Sequence, residues 1–318
     1  YMQALRVPHF PKLLGVVMLM SVLMLAGCGG GGSGSTTSQE TSSVLKLGLQ
    51  QDAVDIYKPV DTAYGLKWKS TTFISESLSF AAVTSGSIDI NECYTTDPTI
   101  VVDNFVLLKD TKNVFPPYNP SPIVRDSTLA KSAAIQTTLE GLESHLTTAS
   151  QTALIKQVSV DHQDVATVAK NFLQTQGLLG SPGTSGAGIK LTIGSKNDED
   201  GQLLAEMYSQ LLTNQGFNVT TKLALGQTPV LDAAIKSGQI DIYPEFNGTA
   251  LGIYKLTSTT DPTTAYNESK TYYEQQFHIT WLAPAYGLND SYGYCTSQAN
   301  SSKFKLQGID DLAKQTSS

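Results

Sequence analysis

The run Ser-Gly-x-Ile-Asp-Ile occurs twice in this chain, in TSGSIDINECYTTD (Thr84 to Asp97) and in KSGQIDIYPEFNGTALG (Lys236 to Gly252). Each copy places an aromatic residue four positions after its second isoleucine, Tyr94 in one and Phe246 in the other. A Ser-Gly pair closes a helix, because glycine accepts the left-handed conformation that a helix end calls for. The short apolar run after it reads as a buried strand. Helix end, strand and aromatic tip, written twice, constrain the chain to α/β architecture with two comparable units. Taken alone the echo also has a plain explanation, since Ser-Gly ends many helices and Ile-rich strands are common.

The remaining pattern fits α/β units. Val44 to Leu49 reads as a short strand, SLSFAAVTSG (Ser77 to Gly86) as a helix closed by glycine, and SIDIN as the strand after it. From Ser127 to Leu173 the spacing predicts almost continuous helix, with Val165, Val168, Ala169 and Phe172 on one face. GLLGSPGTSGAG, Gly177 to Gly188, reads as a linker, after which the pattern restarts. IKLTIGSK predicts a strand, and DGQLLAEMYSQLLTNQG an amphipathic helix with Leu203, Leu204, Met207, Leu211 and Leu212 on its buried face. FNVTTKLAL, TPVLDAAIKSG and IDIYPEF follow as strand, helix and strand. Such alternation predicts parallel sheets. Ligands of parallel sheets sit beyond the carboxyl ends of the strands, where both aromatic tips fall.

The first residues concern address rather than fold. Arg6, His9 and Lys12 precede an apolar run from Leu13 to Leu25, followed at once by Ala26-Gly27-Cys28. The run is shorter than the ~20 residues of a spanning helix. It has the basic, apolar and small-residue regions of an export signal. Leu25-Ala26-Gly27-Cys28 also fits the bacterial lipobox, so residues 1–28 are expected to be a lipoprotein signal with Cys28 as the site of lipid attachment. Residues 29–43, rich in Gly and Ser, are expected to be a flexible tether. A net charge of -7 argues against nucleic acid as a partner. Beyond Cys28 only Cys93 and Cys295 remain. They have no metal-type spacing, and a disulfide between them is left open.

Three segments resemble the substrate-binding proteins of osmoprotectant ABC importers, which take glycine betaine, carnitine or choline. They are IGSKNDEDGQLLAEMYSQLL (Ile193 to Leu212), GQTPVLDAAIKSGQIDIYPEFNGTAL, and VLLKDTKNVFPPYNPSPIVRD (Val106 to Asp126). With LNDSYGY (Leu288 to Tyr294) the likeness covers nearly all of residues 45–318. It implies an α/β, two-lobed periplasmic-binding-protein fold of type II, with the ligand cleft between the lobes. It also implies no enzyme activity, no cofactor, a monomer, and an ABC permease with its ATPase as partners. The place of work would be the outer face of the bacterial cytoplasmic membrane.

The order of the motifs departs from the family. The late half, residues 45–176, precedes the early half, residues 189–318, with 177–188 joining the old ends. Each half is expected to begin in one lobe and finish in the other. Circular permutation accounts for the order; a tandem receptor truncated at both ends, or a mis-assembled gene, is the competing account.

A quaternary ammonium has no N–H to donate, and aromatic faces suit it at roughly 0.5 to 2 kcal/mol per cation–π pair. Carried over motif by motif, the resemblance puts the cage at Tyr94, Tyr118, Phe246 and Tyr292, with Phe246 in place of the family's usual tyrosine. Asp290 is implied near the cationic head. Thr249 and Lys196 match residues that hold a ligand's carboxylate. Betaine binders of the family add an arginine that this chain lacks, and Lys58, the only candidate nearby, has no bidentate fork. This shifts the expectation toward choline or a related alcohol. An exported enzyme is a weak rival, since His145, His162 and His278 are scattered and no Gly-x-Ser-x-Gly motif occurs. A receptor feeding a membrane sensor would carry the same sequence.

Overall fold

Ten strands in two five-stranded sheets organise the computed structural model, which describes residues 40–314. The strands are β1 (Lys46–Leu49), β2 (Ser70–Phe73), β3 (Ile90–Tyr94), β4 (Phe105–Leu108), β5 (Pro120–Arg125), β6 (Lys190–Lys196), β7 (Asn218–Gly226), β8 (Ile242–Phe246), β9 (Ile279–Trp281) and β10 (Tyr292–Ser297). The expected signal, Cys28 and most of the expected tether lie outside the described residues. No helix among the described residues is long and apolar enough to cross a membrane.

The two sheets share one plan. Lobe one is ordered β2-β1-β3-β10-β4 and lobe two β7-β6-β8-β5-β9. In each, three parallel strands come first and an edge strand comes last. Between them lies an antiparallel strand that the chain lays down on arriving from the other lobe. The chain therefore crosses twice, once between β4 and β5 and once between β9 and β10.

The sequence echo is the signature of this shared plan. Helices Glu76–Thr84 and Thr228–Ser237 both lead into left-handed glycines, Gly86 at φ 77° and Gly238 at φ 79°. Asp89 then clamps β1: its amide donates to the Lys46 carbonyl at 2.8 Å and its carboxylate accepts from the Lys46 amide at 2.8 Å. Asp241 clamps β6 in the same way through Thr192, at 2.7 and 2.8 Å. Ile88 and Ile240 press on glycines of those same strands. A Cβ built on Gly48 would stand 2.3 Å from Ile88 Cδ1, and one on Gly194 would stand 2.8 Å from Ile240 Cδ1.

The cores sit where these patterns place them. Lobe one packs Leu45, Leu47, Ile90 and Tyr294 against Leu306, Ile309 and Leu312. Lobe two is built on helix Glu199–Asn214, whose Leu203, Leu204, Met207, Leu211 and Leu212 are all buried. A disulfide, Cys93–Cys295, ties β3 to β10.

Four expectations need correction. Residues 127–173 are helical in pieces rather than in one run: helices of 4 to 12 residues are separated by turns, one of them a 3-10 segment, Glu143–His145, flanked by the buried Leu142 and Leu146 that turn the chain back onto the core. The strand placed at SIDIN begins at Ile90 and ends at Tyr94, so the aromatic is its last residue. The last residues of the tether, from Glu40, belong to the folded body: Thr41 donates to the Lys314 carbonyl from its amide and hydroxyl, and Ser42 Oγ accepts from the Lys67 amide. The 177–188 linker is anchored too, since the amides of Gly183 and Gly186 donate to the Asn214 and Gln215 carbonyls at 2.7 and 2.9 Å.

Candidate functional site

A cavity of about 590 Å³ opens between the lobes, at the ends of β3, β8 and β10. All seven ligand-binding residues read from the sequence line it: Tyr94, Tyr118, Lys196, Phe246, Thr249, Asp290 and Tyr292. Lobe one supplies Tyr94 and Tyr292 from adjacent strands, and lobe two supplies Lys196, Phe246 and Thr249. Tyr118 and Asp290 come from the two crossovers, joined there by a hydrogen bond from the Asp290 amide to the Tyr118 carbonyl at 3.0 Å. Asn289 adds a second link, its Oδ1 accepting from the Tyr118 amide at 2.7 Å.

Three rings meet at one corner. Tyr292 lies 4.9 Å from Tyr94 and 5.4 Å from Tyr118, centroid to centroid, with the Tyr118 ring inclined 75° to it. Near-perpendicular neighbours form adjoining walls rather than a stack. Burial raises the pKa of the Tyr118 and Tyr292 hydroxyls, so both rings stay neutral. Phe246, almost fully buried, faces from lobe two with the Lys196 ammonium 5.2 Å from its centroid.

The charges of the cavity were only partly legible. Asp290 is half-buried in the cavity wall, and desolvation there raises its pKa to about 6, while the Thr96 hydroxyl that donates to its Oδ1 pulls the other way. Asp97, Asp198, Glu199 and Asp200 also line the cavity, and none was singled out from the sequence. The signal was there in the acidic run Asn197-Asp198-Glu199-Asp200 at a helix start, which reads equally as ordinary capping. Lys196, matched by resemblance to a carboxylate-holding residue, has an internal partner: its Nζ lies 2.5 Å from Glu245 Oε1. Lys58 is exposed on its helix and does not line the cavity. Among the described residues no cluster of His, Cys, Asp and Glu could hold a metal ion.

Two α/β lobes, each completed by a strand from across the hinge, around an interlobe cavity, define a solute-binding protein of the two-lobed periplasmic class. The chain belongs to the family described as the substrate binding domain of ABC-type glycine betaine transport systems, which it matches over residues 48–175 and 189–318. That is a family of binding proteins, not enzymes. The chain is 31% identical over 131 residues to the glycine betaine-binding protein YehZ of Escherichia coli, covering 40% of this chain and 43% of that protein. It is 31% identical over 120 residues to the carnitine transport binding protein OpuCC of Listeria monocytogenes, covering 38% of this chain and 39% of that one. The chain thus spans about two fifths of the length of these curated relatives. Among solved structures, the probable amino-acid ABC transporter extracellular-binding protein ytmK of Bacillus subtilis is similar at 8% identity and a TM-score of 0.44, over 85% of this chain and 89% of that one.

Proposed function

We propose that this protein captures a quaternary ammonium solute in an aromatic cage of Tyr94, Tyr118, Tyr292 and Phe246 and delivers it to an ABC permease and its ATPase. The observation that carries this reading is the tyrosine corner, three rings meeting at Tyr292 within one cavity. A methylated cation there gains apolar contact and ring quadrupoles on several sides. Three or four such pairs supply much of the ~8 kcal/mol of a micromolar complex. Because Tyr118 and Asp290 stand on the crossovers, a ligand in the cage also touches the hinge, so occupancy and lobe closure are coupled. A diacylated Cys28 would hold the body, as a monomer, at the outer face of the membrane.

The same proposal includes the swapped order of halves. The YehZ alignment covers nearly equal shares of both chains, so the two have similar lengths, yet it extends over less than half of either. Swapped halves produce such alignments. The contact between Thr41 and Lys314 supports it further, since a chain running through 314 into 41 would pass along the same path. The shared plan of the lobes makes the swap harmless: beginning in either lobe yields the same strand order.

Titration calorimetry on the purified full chain in detergent, with glycine betaine, carnitine and choline, tests the function. Micromolar binding of at least one is expected, weakened about tenfold or more by Tyr292→Ala. Binding of none by a cooperatively melting protein, or binding indifferent to Tyr292→Ala, would overturn the cage.

A further inference from the structure

The tyrosine corner has an acidic residue behind it. In the antiparallel pair β3–β10, Tyr94 stands opposite Tyr292 and Glu92 opposite Tyr294. Residues two apart on a strand share a face, and so do residues directly opposite one another. Tyr94, Tyr292, Glu92 and Tyr294 therefore occupy one face of this sheet. The first two line the cavity, and the other two stand one row further in.

Tyr57, from helix Val54–Tyr64, closes over that inner row. Its hydroxyl donates to the Gly293 carbonyl at 2.7 Å. Its ring lies 5.0 Å from that of Tyr294 and 6.0 Å from that of Tyr292. Glu92 is thus sealed in at 3% exposure. Its charge is felt at two of these rings: after burial, it helps raise the hydroxyl pKa of Tyr57 and, more weakly, of Tyr292.

A carboxylate so deep is costly to the fold, and its position is one that a cation site can use. Two residues of strand span about 7 Å, close enough for a carboxylate and a cation in the corner to attract through the protein. Buried charges are screened by salt far less than exposed ones. The cage rings present negative faces of their own, so the carboxylate behind them adds to their pull on a cation.

We infer that Glu92 sets the charge specificity of the cage: from behind Tyr94 and Tyr292 it favours a cation over an uncharged group of the same shape, without touching either. This rests on the quaternary-ammonium reading and adds to it a residue that no list of ligand contacts would contain.

Replacing the quaternary nitrogen by carbon isolates the charge. Choline pairs with 3,3-dimethylbutan-1-ol, and glycine betaine with 3,3-dimethylbutanoate, each pair differing in one atom and one charge. Calorimetry of the full chain in detergent, with the carbon analogues read by competition against the tighter cation, measures the preference. Glu92→Gln, close in shape, is expected to weaken the cation about tenfold while its carbon analogue changes less than about threefold. That loss should persist between about 0.1 and 1 M salt. The melting midpoint of the empty variant should hold or rise, because a buried charge is gone. Glu92→Met gives the same test should the amide variant fold poorly. Glu92→Asp keeps the charge and should restore most of the preference; where a carbon analogue is too weak to compete, this rescue decides, and its failure overturns the inference. Cation affinity unchanged in Glu92→Gln, or equal losses for both members of a pair, also overturns it and leaves the cage. Cation binding that is absent from the wild-type protein, or indifferent to Tyr292→Ala, removes the cage and the inference together.

Discussion

Asp290 offers a direct handle on how the cavity responds to charge. Burial lifts its pKa from 3.8 to about 6, and the carboxylates of Asp198 and Asp97 add to the rise. The Thr96 hydroxyl and the Lys196 ammonium oppose it. A cation held against Tyr118 and Tyr292 favours the charged carboxylate, so binding and deprotonation are linked. If the cation returned the group to its ordinary value, the shift would be about two units, or about 3 kcal/mol. Affinity for a cationic ligand should then be flat above about pH 7 and fall as pH drops below about 6, by up to tenfold per unit and about 100-fold in total. The Asp200 carboxyl beside it is also raised, by its own burial first and then by the charge of Asp290.

The empty protein should move the other way. A carboxyl whose folded pKa is raised contributes stability that is fully present below the unfolded value of 3.8 and is lost as pH rises through about 6. Acidification from about pH 7 to about pH 5 therefore stabilises the empty cavity at this residue while weakening the complex. Calorimetry across that range, in two buffers of different ionisation enthalpy, would measure both affinity and protons released. Asp290→Asn should flatten the profile. Affinity that stays constant, or rises on acidification, would refute the linkage.

Further expectations concern the frame that holds the three tyrosine rings. Reduction of Cys93–Cys295, or Cys93→Ser with Cys295→Ser, opens a link of 202 residues in sequence and should cost about 3 to 5 kcal/mol in melting experiments. Since β3 and β10 carry Tyr94 and Tyr292, ligand affinity should fall with it. Asp89→Ala and Asp241→Ala, which remove equivalent clamps, should each destabilise the protein by about 1 to 3 kcal/mol, read by urea denaturation. A re-permuted gene, joining residue 314 to 41 and opened between 177 and 188, should retain fold and binding, with the melting midpoint and ligand titration as checks.

The parts of this fold that sequence revealed are those where one local rule acts alone. Ser-Gly-x-Ile-Asp-Ile marked the same turn, clamp and strand in both lobes, because a left-handed glycine and a carboxylate facing a neighbouring strand each need a particular residue. β5 was hidden for a physical reason. Pro120 and Pro122 argue against a central strand, since proline cannot donate to a ladder. Pro122 faces Pro244 across the β5–β8 pair, and the Pro120 and Pro122 carbonyls turn outward to the amides of Ala285 and Leu282. The missing N–H groups thus fall where β9 has already ended. The aromatic positions were legible through their motifs, whereas the pairing of Lys196 with Glu245 was not, because 49 residues separate them and only the β6–β8 contact brings them together.

The strand exchange also sets what a single cut can do. Residues 40–176 hold four strands of one sheet and one of the other, and residues 189–314 hold the complement. Severed within Gly177 to Gly188, neither piece can close a sheet, and each exposes a slot shaped for the strand its companion carries. Supplied together, the pieces would have to clasp in order to fold at all. The protein is in this sense a ready-made split reporter, whose reassembly and ligand response would be read from the same two fragments.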